Sequence, residues 1–244
     1  MAVALMVASI VTDTAAGVVD RALSMDNIAG CTAVMLAVSY YEDTISVDGI
    51  ELTSADIDGT PLTQLSVSSN GVVRNHVWAI SRPTTSFFNG MSLSFYFTGD
   101  PLATVALACA GFSLSGATGF DSTAFGTPVK ATGTDTTPTV SVVKVSDEGL
   151  VVGSLGVDLT LVPPGTTITV GSGETEINNN QSVVPSNRAY NEGSYETTPG
   201  VTGDTITIDP TLSVSKPWSI IALEVIGIEL QDVIECSGII PFPR

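Results

Sequence analysis

The sequence predicts an all-β protein: an antiparallel jelly-roll β-sandwich with long loops and an extended C-terminal arm. Short segments rich in Val, Ile and Thr recur about every 8–14 residues, and Gly, Asn, Asp and Pro separate them. Met91, Leu93, Phe95 and Phe97 alternate with polar residues, the period-two pattern of a strand that has one face in a core. No long span shows convincing helical periodicity. Short, evenly spaced strands of this kind favour a sandwich or jelly roll.

The predicted strands are separated by clear turn signals. Asp48-Gly49 and Asn70-Gly71 each predict a tight hairpin, because these residue types tolerate a positive φ. The segments with the composition of strands are residues 4–11, 32–41, 44–52, 62–68, 72–81, 91–98, 104–114, 139–145, 150–161, 166–170, 205–209 and 218–228.

Two stretches that are poor in apolar residues, 115–138 and 171–203, are expected to be long loops. Loops of that length in a compact domain are usually functional or mobile. We expect a single jelly-roll domain over residues 1–228, followed by a C-terminal arm over residues 229–244.

The composition excludes several classes of protein. Hydrophobic residues make up 43% of the chain and charged residues 14%, which excludes a highly charged disordered chain. The net charge of −17 would repel phosphate backbones and anionic lipids, so we expect no nucleic-acid partner and no membrane partner. The same charge favours solubility, or the attraction of Ca²⁺ or of a basic partner surface.

The three cysteines, Cys31, Cys109 and Cys236, are far apart in the sequence. An odd number without local pairs argues against a disulfide framework, and the spacing argues against a zinc site. Cys31 and Cys109 lie in apolar runs. We therefore expect all three cysteines to be unpaired and largely buried.

No set of residues has a clear catalytic pattern. His76 is the only histidine, and it lies on a predicted strand with no nucleophile-elbow sequence in the chain. We interpret it as a structural histidine that is partly buried or at the surface. Glu174 and Glu176 have the spacing of a glycosidase pair, but they fall in a predicted loop. Glu224 stands alone in an apolar strand. The chain is therefore predicted not to be an enzyme.

Metal and cofactor motifs are incomplete. Asp56-Ile57-Asp58-Gly59 offers two acidic ligands and the glycine of a calcium loop but lacks the rest, so a plain turn is favoured. No glycine-rich phosphate loop lies between a strand and a helix. No cofactor is predicted.

Four segments occur in an informative order: an Asp-Gly hairpin at 47–50, a strand at 76–80 that runs into a proline, a Gly-Ser-Tyr stretch at 193–195 and a final strand at 218–225. In that order they resemble a recurring β-module of phage and virus virion proteins and of large bacterial surface proteins, over residues 28–228. The resemblance implies a β-fold and a location on the outside of a particle or cell. It transfers no catalytic residue.

Two sets of residues are candidates for binding. Tyr190 and Tyr195 lie among polar residues of a predicted loop, where they could form a sugar-binding or partner-binding patch or pack the loop onto the sandwich. Ile239, Ile240 and Phe242 lie beside two prolines, which prevent full pairing within a central strand. They could form a subunit interface, as an arm across a neighbouring copy, or fold back onto their own sandwich.

The function expected from these observations is that of a structural component of a bacteriophage or virus particle, such as a capsid decoration, fibre, spike or tail protein. It would act through assembly with other copies of itself and with other virion proteins. Arg21, the first positive charge, follows the apolar N-terminal run, which is the wrong order for a secretory signal and favours location in the virion. The alternative is a secreted or cell-surface glycan-binding module, which would be extracellular and would bind sugar as a monomer.

Overall fold

A computed structural model describes residues 4–16, 21–25, 31–42, 51–71, 73–82, 91–98, 104–119, 121–158, 166–181, 189–196 and 200–227. The strands are β1 (Ala4–Ala16), β2 (Arg21–Met25), β3 (Ala33–Glu42), β4 (Glu51–Ile57), β5 (Thr60–Pro61), β6 (Thr63–Asn70), β7 (Val73–Ser81), β8 (Met91–Thr98), β9 (Thr104–Ser115), β10 (Val129–Gly133), β11 (Val140–Val143), β12 (Leu150–Asp158), β13 (Ile168–Thr169), β14 (Glu174–Gln181), β15 (Ala189–Glu196), β16 (Thr205–Ile208), β17 (Thr211–Leu212) and β18 (Trp218–Val225). A 3₁₀ turn at Asp121–Ala124 is the one helical element of the described residues. The predicted all-β, antiparallel class is confirmed.

The strands form four stacked layers that enclose three apolar cores. The first layer has the strand order β2-β8-β4-β5, and the second has the order β1-β9-β3-β7-β6. The third layer has the order β10-β18-β12-β15-β14, and the fourth consists of the two-stranded sheets β11-β16 and β13-β17. The second and third layers are therefore covered by other layers on both faces.

The two halves of the chain repeat one strand order. In the second layer the first strand of its half, β1, lies beside the last strand, β9, and β3, β7 and β6 follow. In the third layer β10 lies beside β18 in the same way, and β12, β15 and β14 follow. The outer layers match as well, because β2 pairs with β8 and β11 pairs with β16. Each half is thus a two-layer sandwich, and the two sandwiches pack through their larger sheets.

The first core fills the sandwich of the N-terminal half. Even-numbered side chains of β3 and β7 pack against apolar side chains of β4 and β8. The rings of Tyr40 and Phe97 pack edge to face, with their centroids 5.4 Å apart and an interplanar angle of 89°. Full burial of each large side chain contributes about 1.5–3 kcal/mol. The core side chains are Cys31, Val34, Leu36, Val38, Tyr40, Leu52, Ala55, Ile57, Leu62, Trp78, Ile80, Phe95 and Phe97.

The second core lies between the two halves and explains the continuous apolar run of β3. Ala33, Met35 and Ala37 face away from the first core and pack toward Ile221 and Leu223 of β18. A strand that is buried on both faces needs apolar residues at odd and even positions alike. The strands β3, β12 and β18 consequently lack the polar–apolar alternation of β8.

Hydrogen-bonded polar side chains cross this second interface. Asn75 of β7 donates through Nδ2 to Ser154 O at 2.7 Å and to Ser219 O at 3.2 Å. Its Oδ1 accepts from Ser154 Oγ at 3.1 Å and from Ser39 Oγ at 3.3 Å. Asn191 of β15 donates to Ser39 Oγ at 2.7 Å. All five residues are 0–2% exposed, so this network fixes the register of one sandwich on the other.

Gly156 permits the close approach of the two sheets at this network. A Cβ at this position would lie 2.9 Å from Ser39 Oγ and 3.4 Å from Asn75 Cβ. A larger residue would push the sheets apart and separate the hydrogen-bonded side chains.

The predicted turns and loops have mixed outcomes. The Asn70-Gly71 hairpin is confirmed between β6 and β7, with Gly71 at φ +61°. The Asp48-Gly49 hairpin lies outside the described residues. The prediction of a loop over 171–203 is wrong, because β14 and β15 lie within it, and the loop predicted over 115–138 contains β10.

The physical reason for these errors is polarity. The segments β14 and β15 are rich in Asn, Glu, Ser and Gly, because β14 is an edge strand and β15 carries buried hydrogen-bonding residues. The arm predicted over 229–244 lies outside the described residues, and the single domain predicted over 1–228 stays a prediction.

Candidate functional site

Several carboxylates lie on the face of β14 and β15 that is directed toward the fourth layer. Glu176 lies opposite Ser194 in the β14–β15 pairing, and Glu174 lies opposite Glu196. The sequence predicts a loop for Glu174 and Glu176, and this prediction is wrong, since both lie on β14. Glu192 faces the same side, because it is separated from Ser194 by one residue of the same strand. The acidic residues of the predicted loop therefore share one face of the sheet, on which Glu192 is buried and Glu176 is exposed.

Glu192 is the most unusual of these carboxylates. It is 1% exposed, and neither carboxyl oxygen has a hydrogen-bond partner among the described residues. Burial, with a further contribution from the negative charge of Glu174, raises its pKa to about 8. Glu192 is therefore largely protonated at pH 7.

Glu174 lies beside Asp209 at the end of β16. Its Oε1 accepts from Asp209 N at 2.7 Å, and its Oε2 accepts from Ser194 Oγ at 2.7 Å. Burial and the neighbouring Asp209 carboxylate raise the pKa of Glu174, against the opposing effect of these hydrogen bonds. Gly171 leaves room for the pair, because a Cβ there would collide with both carboxylates.

Tyr190 and Tyr195 lie in β15, and the predicted loop position is wrong for both. Tyr190 is buried in the third core, where its hydroxyl donates to Asn179 Oδ1. Tyr195 packs against the second core. The two rings therefore point to opposite faces of one strand and do not form a common patch. Burial and the charges of Glu176 and Glu192 raise the pKa of Tyr190 to about 12.

His76 is fully buried in the N-terminal half, rather than at the surface. Gln64 Nε2 donates to His76 Nδ1 at 3.2 Å, which places the ring proton on Nε2, 3.3 Å from Tyr40 Oη. Burial, with a smaller effect of the positive charge of Arg74, lowers its pKa to about 4. The imidazole is therefore neutral near pH 7 and serves packing and hydrogen bonding.

The Asp56–Gly59 motif forms a hairpin turn, as the sequence favours. Asp58 and Gly59 both have positive φ, and Gly59 N donates to Asp56 Oδ1 at 2.7 Å. Tyr96 Oη donates to Asp56 Oδ2 at 2.8 Å. The carboxylate is thus used within the turn. Across the part of the chain that the structure describes, no group of three or more His, Cys, Asp or Glu is arranged to hold a metal ion.

Cys31 is a buried free cysteine, as predicted. Burial raises the pKa of its thiol to about 11, so it is not a reactive thiolate at neutral pH. Cys109 lies in β9, and Cys236 lies outside the described residues.

An apolar groove of about 300 Å³ opens between β10 and β11. Val129, Val142, Val143 and Val145 contribute to its lining, together with Glu224. Val143 and Val145 are 59% and 56% exposed, which is unusual for valines that lie near one another. No residue of this groove was singled out from the sequence as a binding residue.

The strands beside the groove are edge strands. β10 ends the third layer, and β11 pairs with β16 alone among the described strands. Unpaired edges leave backbone N–H and C=O groups available to another extended segment. The margin formed by β10, β11 and the groove between them is called the β10–β11 margin below.

A second groove, of about 590 Å³, is polar. It is lined by Ser172, Gly173, Glu196, Gly200 and Asp204, and by residues 205–207 of β16. Its two carboxylates give it a negative character, which is consistent with the acidic composition of the whole chain.

Comparison with known proteins found no match: no family model, no curated protein and no solved structure matches this chain. Among the helices of the described residues, none has the length and hydrophobicity to cross a membrane.

Proposed function

We propose that this protein is a structural component of a bacteriophage or virus particle and acts by assembling with other protein chains. The observation that carries the proposal is the β10–β11 margin, where the exposed Val143 and Val145 line a groove beside two strands that each lack a partner strand on one side among the described strands. Soluble monomers normally protect such edges with charges, prolines or a covering segment. An apolar groove beside open edges suits a surface that a partner chain covers.

The interior of the molecule supports a scaffold rather than a catalyst. Ser39, Asn75, Ser154 and Asn191 are used to join the two sandwiches. Glu192, the carboxyl group with the most strongly raised pKa, is 1% exposed and therefore closed to a large substrate. The function that fits these features is non-enzymatic.

The particle setting rests on fold and resemblance. We infer that each half is a jelly roll, because its first and last strands are neighbours in one sheet and its second strand begins the opposite sheet. Jelly rolls are common in viral capsid proteins and in lectins. The resemblance of residues 28–228 to β-modules of virion proteins favours the first of these settings.

The C-terminal segment supplies a chemically suitable arm. Ile239, Ile240 and Phe242 are apolar, and Pro241 and Pro243 favour an extended conformation that loses less entropy on docking. We propose that this segment contributes to a subunit interface.

Light scattering coupled to size-exclusion chromatography tests the proposal. The full chain is expected to form a stable oligomer of defined mass, and a glycan array is expected to give no specific signal. A monomer that binds a defined sugar would instead support the extracellular glycan-binding module. That outcome would overturn the structural function.

A further inference from the structure

We propose that the groove of the β10–β11 margin receives residues 237–244 of a second copy of this chain. The inference rests on the proposed assembly function and names the surface through which the copies join. Within the arm, Ile240 and Phe242 are two residues apart, so an extended chain directs both side chains to one side. These two side chains are the proposed anchors in the groove.

Hydrogen bonds of two buried side chains, Glu224 and Lys144, fix the rim of the groove within a single chain. Glu224, which is fully buried, accepts from Val145 N at 2.6 Å and from Ser146 N at 3.1 Å. Lys144 is 2% exposed and donates to Gly149 O at 2.9 Å and to Gly200 O at 2.8 Å. These bonds fix the turn that carries Val145, so the rim of the groove is preformed.

The sequence of the arm is compatible with pairing along the edge of a sheet. Strand addition uses backbone hydrogen bonds for affinity and pockets for alternate side chains for specificity. Pro241 and Pro243 lack an N–H, and prolines are accommodated where a strand pairs along an edge. Val129 of β10 and Val143 of β11 line the groove and are the side chains that we propose Ile240 and Phe242 contact.

The length of chain after the described residues allows the arm to reach a second copy. The described residues end at Gly227, whose carbonyl accepts from Ser146 Oγ at 3.4 Å, directly beside the groove residue Val145. Residues 228–238 span up to about 36 Å when extended. This reach is sufficient for residues 237–244 to enter the groove of a second copy.

Sedimentation velocity on the full-length protein tests the groove. Val143→Asp places a charge on its rim and is expected to weaken self-association by at least about tenfold, because a carboxylate is costly to bury in an apolar site. Ile240→Asp in the arm is expected to weaken self-association to a similar extent. Val214→Asp is the matched control, since Val214 is also exposed but lies outside the groove. It is expected to leave self-association unchanged.

A peptide of sequence Ser-Gly-Ile-Ile-Pro-Phe-Pro-Arg supplies an independent measurement. Added to the full-length protein, it is expected to dissociate the oligomer by competition, and the same peptide with Asp in place of Ile240 and Phe242 is expected to have no effect. Circular dichroism of each variant checks that it remains folded. A misfolded Val143→Asp variant would leave the peptide competition as the deciding result.

Each other outcome has a definite meaning. An oligomer that is insensitive to Val143→Asp and to the peptide would overturn the groove proposal while leaving the assembly function standing. A monomer whose arm becomes protease-sensitive in the Val143→Asp variant would show that the arm occupies its own groove, which also overturns the proposal. A monomer without this change would contradict both the groove and the proposed function.

Discussion

The interface between the two sandwiches buries polar side chains, whereas the β10–β11 margin exposes apolar ones. At the interface, the buried side chains of Asn75 and Ser154 are hydrogen-bonded across the layers. At the margin, Val143 and Val145 are more than half exposed, and β10 and β11 each pair with only one strand among the described strands. The first region is complete within one chain, and we propose that a segment of another chain covers the second. We expect the residues of the interface to set stability, and we propose that the residues of the margin set assembly.

The largest expected effect on stability comes from the interface network. Asn75→Ala removes hydrogen bonds to Ser39, Ser154 and Ser219 and leaves their buried polar groups unsatisfied. We expect a loss of about 3–5 kcal/mol in the free energy of unfolding, measured by urea denaturation. The control Ser141→Ala, which removes an exposed hydroxyl pair with Thr207, should cost less than about 0.5 kcal/mol. Equal losses for both variants would contradict the role given to the network.

The next effect is a pH dependence from Glu192. Its pKa of about 8 lies above the ordinary value of 4.5, so between these values the folded state holds a proton that the unfolded state has lost. Stability should therefore fall as the pH rises from about 4.5 to 8, by an amount on the order of a few kcal/mol. Glu192→Gln should flatten this dependence and stabilise the protein at pH 8. Glu51→Gln, at an exposed position, should leave it unchanged, and the same flattening there would contradict the assignment.

A smaller dependence of opposite sign is expected from His76. Its pKa of about 4 lies below the ordinary 6.5, so the unfolded state gains a proton first as the pH falls. Stability should decrease from pH 6.5 down to about 4, by about 2–3 kcal/mol. Because His76 is the only histidine, its imidazole NMR resonances give the pKa directly. A midpoint near 6.5 in the folded protein would contradict its neutral, buried state.

The smallest effect on stability is expected at the margin. Val143→Asp should change the free energy of unfolding of the dissociated chain by less than about 0.5 kcal/mol, because its side chain is mostly exposed. Thermal denaturation at low protein concentration measures this quantity. A loss as large as that of Asn75→Ala would show that the margin belongs to the folded interior.

The strands that the sequence predicts well are those with a strong apolar signal. Residues 91–98 were predicted with the observed bounds, because β8 has one buried face and one polar face. The sequence does not predict β14 and β15, because β14 is a polar edge strand and the buried positions of β15 carry the polar residues Asn191, Glu192 and Ser194. Pattern alone treats such residues as loop formers.

The candidate site was less predictable for the same reason. One face of β15 carries Tyr190, Glu192, Ser194 and Glu196 at every second position. Because three of these four residues are polar, the alternation of apolar and polar residues that predicts a strand is not visible in the sequence. The repeat of one strand order in the two halves depends on pairing between distant segments, which composition does not reveal. The apolar margin was also not evident, since valines in strands are ordinarily interpreted as core residues.

Hydrogen–deuterium exchange at low and high protein concentration tests the central claim, that the β10–β11 margin is the surface through which copies assemble. The backbone amides of β10 (Val129–Gly133) and β11 (Val140–Val143) should become protected as the concentration rises. The amides of β3, β7, β12 and β18, inside the stacked layers, should be protected at every concentration. Oligomers that form without added protection at β10 and β11, or with protection confined to other strands, would contradict the account.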